Sequence, residues 1–226
     1  VAGRIIPSFT RNWLIKRGTG TRASGARDTA TTRVSATAYL SAALPAPPGL
    51  PDRTALATLH AGLIAWAFFP AHAFPGALLL LAAALNLWRL LRWRGEATLG
   101  EPLLAILHVG YAWIVFGAGL LGASALNGAV PLPAALHALT AGAIGTMIVA
   151  VMTRVARGHT GRALHAGPYT VAIYVLVNLG AILRVAAGFS GTAFLPLINL
   201  SAAAWIAGFL LFAIRYGPWL TAPRAA

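Results

Sequence analysis

The chain of 226 residues has no cysteine and only 4 Asp+Glu. Without cysteine there is no disulfide, thiolate zinc site, cysteine-ligated iron–sulfur cluster or cysteine nucleophile. The four carboxylates, Asp28, Asp52, Glu96 and Glu101, are too few for the oxygen-rich cages that hold hard divalent cations. Charge of either sign is scarce, at 9% of residues, while 58% are apolar. The formal net charge of +13 therefore reflects missing acids, not a dense basic surface. This composition points away from a soluble nucleic-acid binder and toward a polytopic membrane protein.

Long uncharged runs are what the sequence has instead. No charge falls from Thr54 to Trp88, and Pro70 and Pro75 interrupt that run at its middle. The pattern predicts two helices there, about 54–70 and 74–92. A third is predicted over 102–126, ended by Asn127-Gly128, and a fourth over about 132–156. A fifth covers about 167–188 and a sixth about 193–216, closing at Arg215 before Gly217-Pro218. Each run reaches or approaches the ~20 residues that cross a ~30 Å hydrocarbon core. The runs are continuous and rich in Ala and Leu, which favours helices over the alternating strands of a barrel. The predicted fold is all-α, with six transmembrane helices over 54–216. A basic cytoplasmic segment at 1–53 precedes them and a short cytoplasmic tail at 217–226 follows.

The basic residues sort by connection. Eight precede the first predicted span, and Arg89, Arg92 and Arg94 follow the second. Arg154, Arg157 and Arg162 follow the fourth, and Arg215 and Arg224 close the chain. Connections 1–2 and 3–4 carry none, so sixteen of the 17 Lys+Arg share one side. By the positive-inside rule both termini are expected in the cytoplasm. Only Arg184 lies toward the other face. The basic positions alternate with the spans and carry no aromatic stacking surface, so no nucleic-acid partner is expected. The expected partner is the lipid bilayer.

Residues 1–14 (VAGRIIPSFTRNWL) lack the charged–apolar–small order of a signal peptide. They read as the end of a membrane helix entering a basic loop, which predicts further helices before it. Residues 18–52, rich in Thr, Ser, Ala, Gly and Pro, read as a flexible loop.

Ionisable groups within spans are costly unless they have a partner or a task. His60 and His108 fall at similar depth near the cytoplasmic side, and His137 and Arg184 form a second layer near the other. On these boundaries His108 and His137 differ by roughly 12 Å in depth, too far to clamp one iron together. Neutral imidazole is a common haem and copper ligand, and an Arg beside it suits a haem propionate. The competing reading of each His is a bond to a backbone carbonyl that locks helix packing. His137, Ala141 and Gly145 lie along one face at i, i+4 and i+8, open to a neighbouring helix or a flat macrocycle. Met147 and Met152 are soft donors that suit Cu(I) or simply fill space. Asn178 and Asn199 read as interhelical hydrogen-bonders.

Three segments carry a family resemblance: GRIIPSFTRNWL (Gly3–Leu14), LHVGYAW (Leu107–Trp113) and AALHALTAGAIGTMIVAVMTRVARGHTGR (Ala134–Arg162). Together they resemble the NnrS family of bacterial multi-pass membrane proteins, described as containing haem and copper and associated with the response to nitric oxide. His108, His137, Met152, Arg154, His159 and Gly161 fall on matching positions. The resemblance implies a bacterial inner-membrane protein acting in nitrosative-stress defence, with additional N-terminal helices in the full-length protein. His108, His137 and His60 are the candidate metal ligands, and Arg154, His159, Arg184 and Met152 the candidate cofactor contacts, with His60 and Arg184 taken from their depth in the spans and not from the resemblance. Two other readings stay open. One is a transporter or channel subunit with a polar intramembrane pathway, and the other is a quinol-linked redox protein using His60 and His108.

Overall fold

The computed structural model describes residues 2–22, 44–45, 47–70, 72–128 and 130–224. Most of the flexible loop expected at 18–52 lies outside the described residues. Among the described residues there is no strand. Seven long helices among the described residues carry the fold: α1 (Ala2–Arg22), α2 (Leu50–Phe68), α3 (Ala73–Leu91), α4 (Pro102–Asn127), α5 (Leu132–His159), α6 (Pro168–Ala187) and α7 (Phe194–Thr221).

Helix boundaries follow local chemistry. Asp52 opens α2, its Oδ2 accepting the Gly49 N–H at 3.0 Å, which satisfies an amide the helix cannot. Glu101 caps α4 by accepting the Leu103 N–H, and Pro102 occupies the first turn, where no N–H is needed. Gly128, at φ 68°, ends α4 in the left-handed region that glycine enters freely. Between α3 and α4 a short 3-10 turn, Gly95–Thr98, reverses the chain.

Successive helices α2 to α7 pack beside one another, with α4 and α5 central. Two backbones approach closely between α3 and α4: a Cβ on Gly76 would lie 2.8 Å from Leu126 N, and one on Gly122 2.9 Å from Gly76 O. The main core joins Leu103, Leu107 and Tyr111 of α4 to Val149 of α5, Ile173 and Val177 of α6, and Tyr216 of α7. Outside it, Leu200, Ile206, Leu210 and Ile214 stand exposed on α7. So broad an apolar outer surface needs hydrocarbon against it.

Five helices, α3 to α7, are long and apolar enough to cross a membrane. The first predicted span, about 54–70, forms as the 19-residue α2 against α3 but is not among them. Asp52 and Arg53 sit in its first turn, and Thr58 and His60 interrupt its apolar stretch. Among the described residues, the arginines at or just after the ends of α3, α5 and α7 gather at one end of the bundle, while Arg184 lies toward the other. At the basic end His165 meets Glu101, Arg157 meets Tyr216, and Arg215 lies over Tyr169. α1 is drawn into that end too, burying Ile6 and Thr10.

Candidate functional site

The predicted ligands occupy separate places. His137 ends the first, α-helical stretch of α5, where the chain passes into a π-helical segment over Ala138–Ile144. Such π-helical turns widen a helix locally and recur at functional sites. Here the widened segment opens a cleft of about 500 Å³ between α5, α6 and α7. His137, Ala141 and Gly145 line it from α5, Arg184 from α6, and Ser201 and Trp205 from α7. The face expected from the i, i+4, i+8 pattern is thus the wall of a cleft.

Within it Arg184 Nε donates to His137 Nε2 at 3.2 Å. Accepting that hydrogen puts the imidazole proton on Nδ1, so this His is neutral. Among the described residues no carboxylate lies within ion-pairing distance of Arg184; the acids there pair with Arg89, Arg92, Arg94 and His165. The cleft therefore joins a neutral imidazole, an uncompensated guanidinium and a wall of small residues. Ser201 Oγ donates to Gly180 O at 2.7 Å and closes the far side by tying α7 to α6.

His108 is placed differently. It is buried on α4, with Nδ1 3.2 Å from Leu104 O and Nε2 3.4 Å from Thr10 Oγ1 of α1. Trp93 lies edge-on at 6.5 Å, and a Cβ on Gly95 would come within 2.8 Å of its ring. Both ring nitrogens thus face protein groups.

His60 is exposed on α2, its Nδ1 2.7 Å from Leu56 O. It shares neither a hydrogen bond nor a cleft with His108. It lines an apolar groove of about 720 Å³ together with Tyr111, Met147 and Met152. Arg154 lies 4.2 Å from the centre of the Phe9 ring of α1, in a separate cleft with Lys16 and Glu101. His159 is exposed at the end of α5.

The largest buried polar side chain among the described residues lies outside the predicted candidates. Arg89, at 1% exposure, donates to Asp52 Oδ1 at 2.6 Å, Tyr111 OH at 2.7 Å and Gly3 O at 2.7 Å. Tyr111 OH donates in turn to Asn86 Oδ1 at 2.5 Å, and Asn86 Nδ2 reaches Ala55 O at 3.0 Å. Four helices, α1 to α4, are tied at one point. Burial works to raise the Asp52 carboxyl, but the Gly49 N–H and the Arg89 guanidinium outweigh it and hold it below the usual carboxylate range. The available signal was Asn86 and Arg89 at i, i+3 on an otherwise apolar helix; their acid partner, Asp52, lies 37 positions away in the chain. Asn178 does bridge helices as expected, accepting from Trp113 Nε1 at 2.8 Å and Thr146 Oγ1 at 3.2 Å. Asn199 stands exposed on α7.

Compared with known proteins, the chain has no match among curated proteins and none among solved structures. A family model described as NnrS protein matches residues 1–224. A multi-pass helical bundle matched by that model over nearly its whole length belongs to the NnrS family.

Proposed function

We propose that this chain is part of a bacterial inner-membrane haem and copper protein acting in the nitric-oxide and nitrosative-stress response. The observation that carries the reading is the cleft where His137 meets Arg184. Its donor set suits haem: a neutral imidazole for iron, a guanidinium for a propionate, and Ala141 and Gly145 to admit a flat ring. Its volume, about 500 Å³, lies within the range of roughly 300–1,000 Å³ typical of cofactor sites.

The chain's own residues have defined tasks on this reading. Arg184 holds His137 in the tautomer whose Nε2 lone pair points outward. Coordination through that atom requires Arg184 to turn away, which frees the guanidinium for a carboxylate. Trp205, Ile206 and Ile148 give the cleft an apolar lining. His108 is the second haem-ligand candidate, and its Nε2 faces Thr10. His60, Met147 and Met152 form an imidazole–thioether set that suits Cu(I). Arg154 and His159 are assigned to the basic end, where they hold the α5 terminus or a cofactor carboxylate. A bound metal would supply a coordination site for nitric oxide and one-electron chemistry.

The test is an optical and metal analysis of the purified full-length protein, with and without nitric oxide. Haem absorbance that shifts with nitric oxide and is lost in His137→Ala is expected. An unchanged haem spectrum in both His137→Ala and His108→Ala sinks the ligand assignment.

A further inference from the structure

Three arginines crowd one indole at the basic end of the bundle. The guanidinium carbons of Arg157, Arg162 and Arg215 lie 5.3, 4.5 and 4.7 Å from the centre of the Trp219 ring. They come from the last turn of α5, the loop after it, and α7. The three charges thus fall within roughly 10 Å of one another, about one Debye length at 0.1 M salt. At that spacing they repel.

The neutral partners are accounted for. Arg157 donates to Tyr216 OH at 3.3 Å and Ala163 O at 3.0 Å, Arg162 to Thr160 O at 3.5 Å, and Arg215 rests 5.4 Å from the Tyr169 ring centre. Acids are not among them. Among the described residues, Asp52 is taken by Arg89 and Arg92, Glu96 by Arg94 and Glu101 by His165. The nearby C-terminal ends of α5 and α7 offer about half a negative charge each. One indole also has only two faces for cation–π contact. The cluster keeps a surplus of about two positive charges.

We infer that Arg157, Arg162 and Arg215, arranged around Trp219, form a discrete binding site for the phosphate of an anionic phospholipid headgroup. The occupant follows from position. α5 and α7 are membrane-crossing helices by length and apolarity, and the cluster stands at their ends, where headgroups lie. The half-buried Trp219 and the exposed Tyr169 provide the amphipathic rings that settle at that level. Arginine matches phosphate oxygens with paired N–H donors, so the phosphate completes the cluster by hydrogen bonding as well as charge. Acyl chains below it meet the exposed Leu210 and Ile214 of α7.

The experiment is native mass spectrometry of the detergent-purified full chain titrated with dioleoyl phosphatidylglycerol, dioleoyl phosphatidylcholine or inorganic phosphate. The wild type is expected to retain one phosphatidylglycerol in preference to phosphatidylcholine. The Arg162→Gln/Arg215→Gln pair should lose that preference by on the order of tenfold, the scale that two arginines near an anionic surface give. The Arg162→Lys/Arg215→Lys pair, which keeps the charge but not the paired donors, should fall between. Arg92→Gln, at the same end but beside Asp52, should leave the preference intact. Equal retention of the two lipids, an equal loss in Arg92→Gln, or full displacement by millimolar inorganic phosphate would each overturn the proposal. Unchanged circular dichroism in the variants checks that the fold survives, and if the glutamine pair fails to fold, the lysine pair alone must still weaken the preference.

Discussion

Asp52 owes its importance to its place beneath Arg89. A buried guanidinium bound to a carboxylate, a phenol and a carbonyl is stable only while all are present. Asp52→Asn leaves that charge without its acid and is expected to cost about 3–5 kcal/mol, the usual penalty for breaking a buried pair. Thermal unfolding in detergent would read it. The pH dependence has a definite sign. The carboxyl is held below its ordinary value in the folded chain, so its contribution is fully present above about pH 4 and disappears as pH falls through the lowered value. The wild type should lose stability over that acid window, and Asp52→Asn should lack that part of the loss. Tyr111→Phe strands Asn86 Oδ1 and one Arg89 donor, at an expected cost of about 1–3 kcal/mol by the same measurement.

At the scale of elements, α5 is where an irregular backbone and a chemical side chain coincide. The π-helical turn directly after His137 widens the helix in the register that faces Arg184. Deleting one residue from Ala138–Ile144 would remove the extra residue of the π turn and restore a regular α-helical repeat, narrowing the helix beside His137. The helix after it would keep nearly the same face, so the change falls on the wall of the cleft itself. Haem absorbance of the purified deletion variant should fall, whereas a full spectrum would show that the cleft does not need the π segment. The α3–α4 contact gives a simpler prediction. Gly122→Ala puts a methyl against the backbone of Gly76 and Leu80, which cannot yield as a flexible side chain would. A loss of about 1–3 kcal/mol is expected, seen as a lower unfolding temperature, while Gly158→Ala, with open space around it, should show no such loss.

At the scale of the whole molecule, the segregation of charge makes a topological prediction. The α3–α4 and α5–α6 connections share the basic end, and the α4–α5 and α6–α7 connections share the other. These 226 residues contain no cysteine, so single cysteines can be introduced among them without removing any. Ala163→Cys should react with a membrane-impermeant maleimide only in inverted vesicles, and Gly191→Cys only in intact cells. Labelling of both from one side would contradict the orientation read from the arginines.

What the sequence determined by itself is the succession of helices. The expected spans at 74–92, 102–126, 132–156, 167–188 and 193–216 return as α3 to α7, because a long uncharged run beside proline and glycine punctuation is a local property. The layer shared by His137 and Arg184 was also legible, since depth along a helix follows from residue number. Lateral relations were not. Similar depth placed His60 beside His108, yet one faces an open groove and the other is buried under Thr10, because depth says nothing of which way a helix turns. Residues 2–22, whose first part reads as the end of a membrane helix entering a basic segment, form one helix whose Gly3 carbonyl completes the Arg89 network and whose Thr10 meets His108. Only the tertiary structure decided these contacts, because they join residues up to 98 positions apart that share no periodicity. The scarcity of acids ties the two levels together. With three of the four carboxylates committed to partners among the described residues, packing alone determines which arginines remain uncompensated, among them Arg184 in its cleft and the three around Trp219.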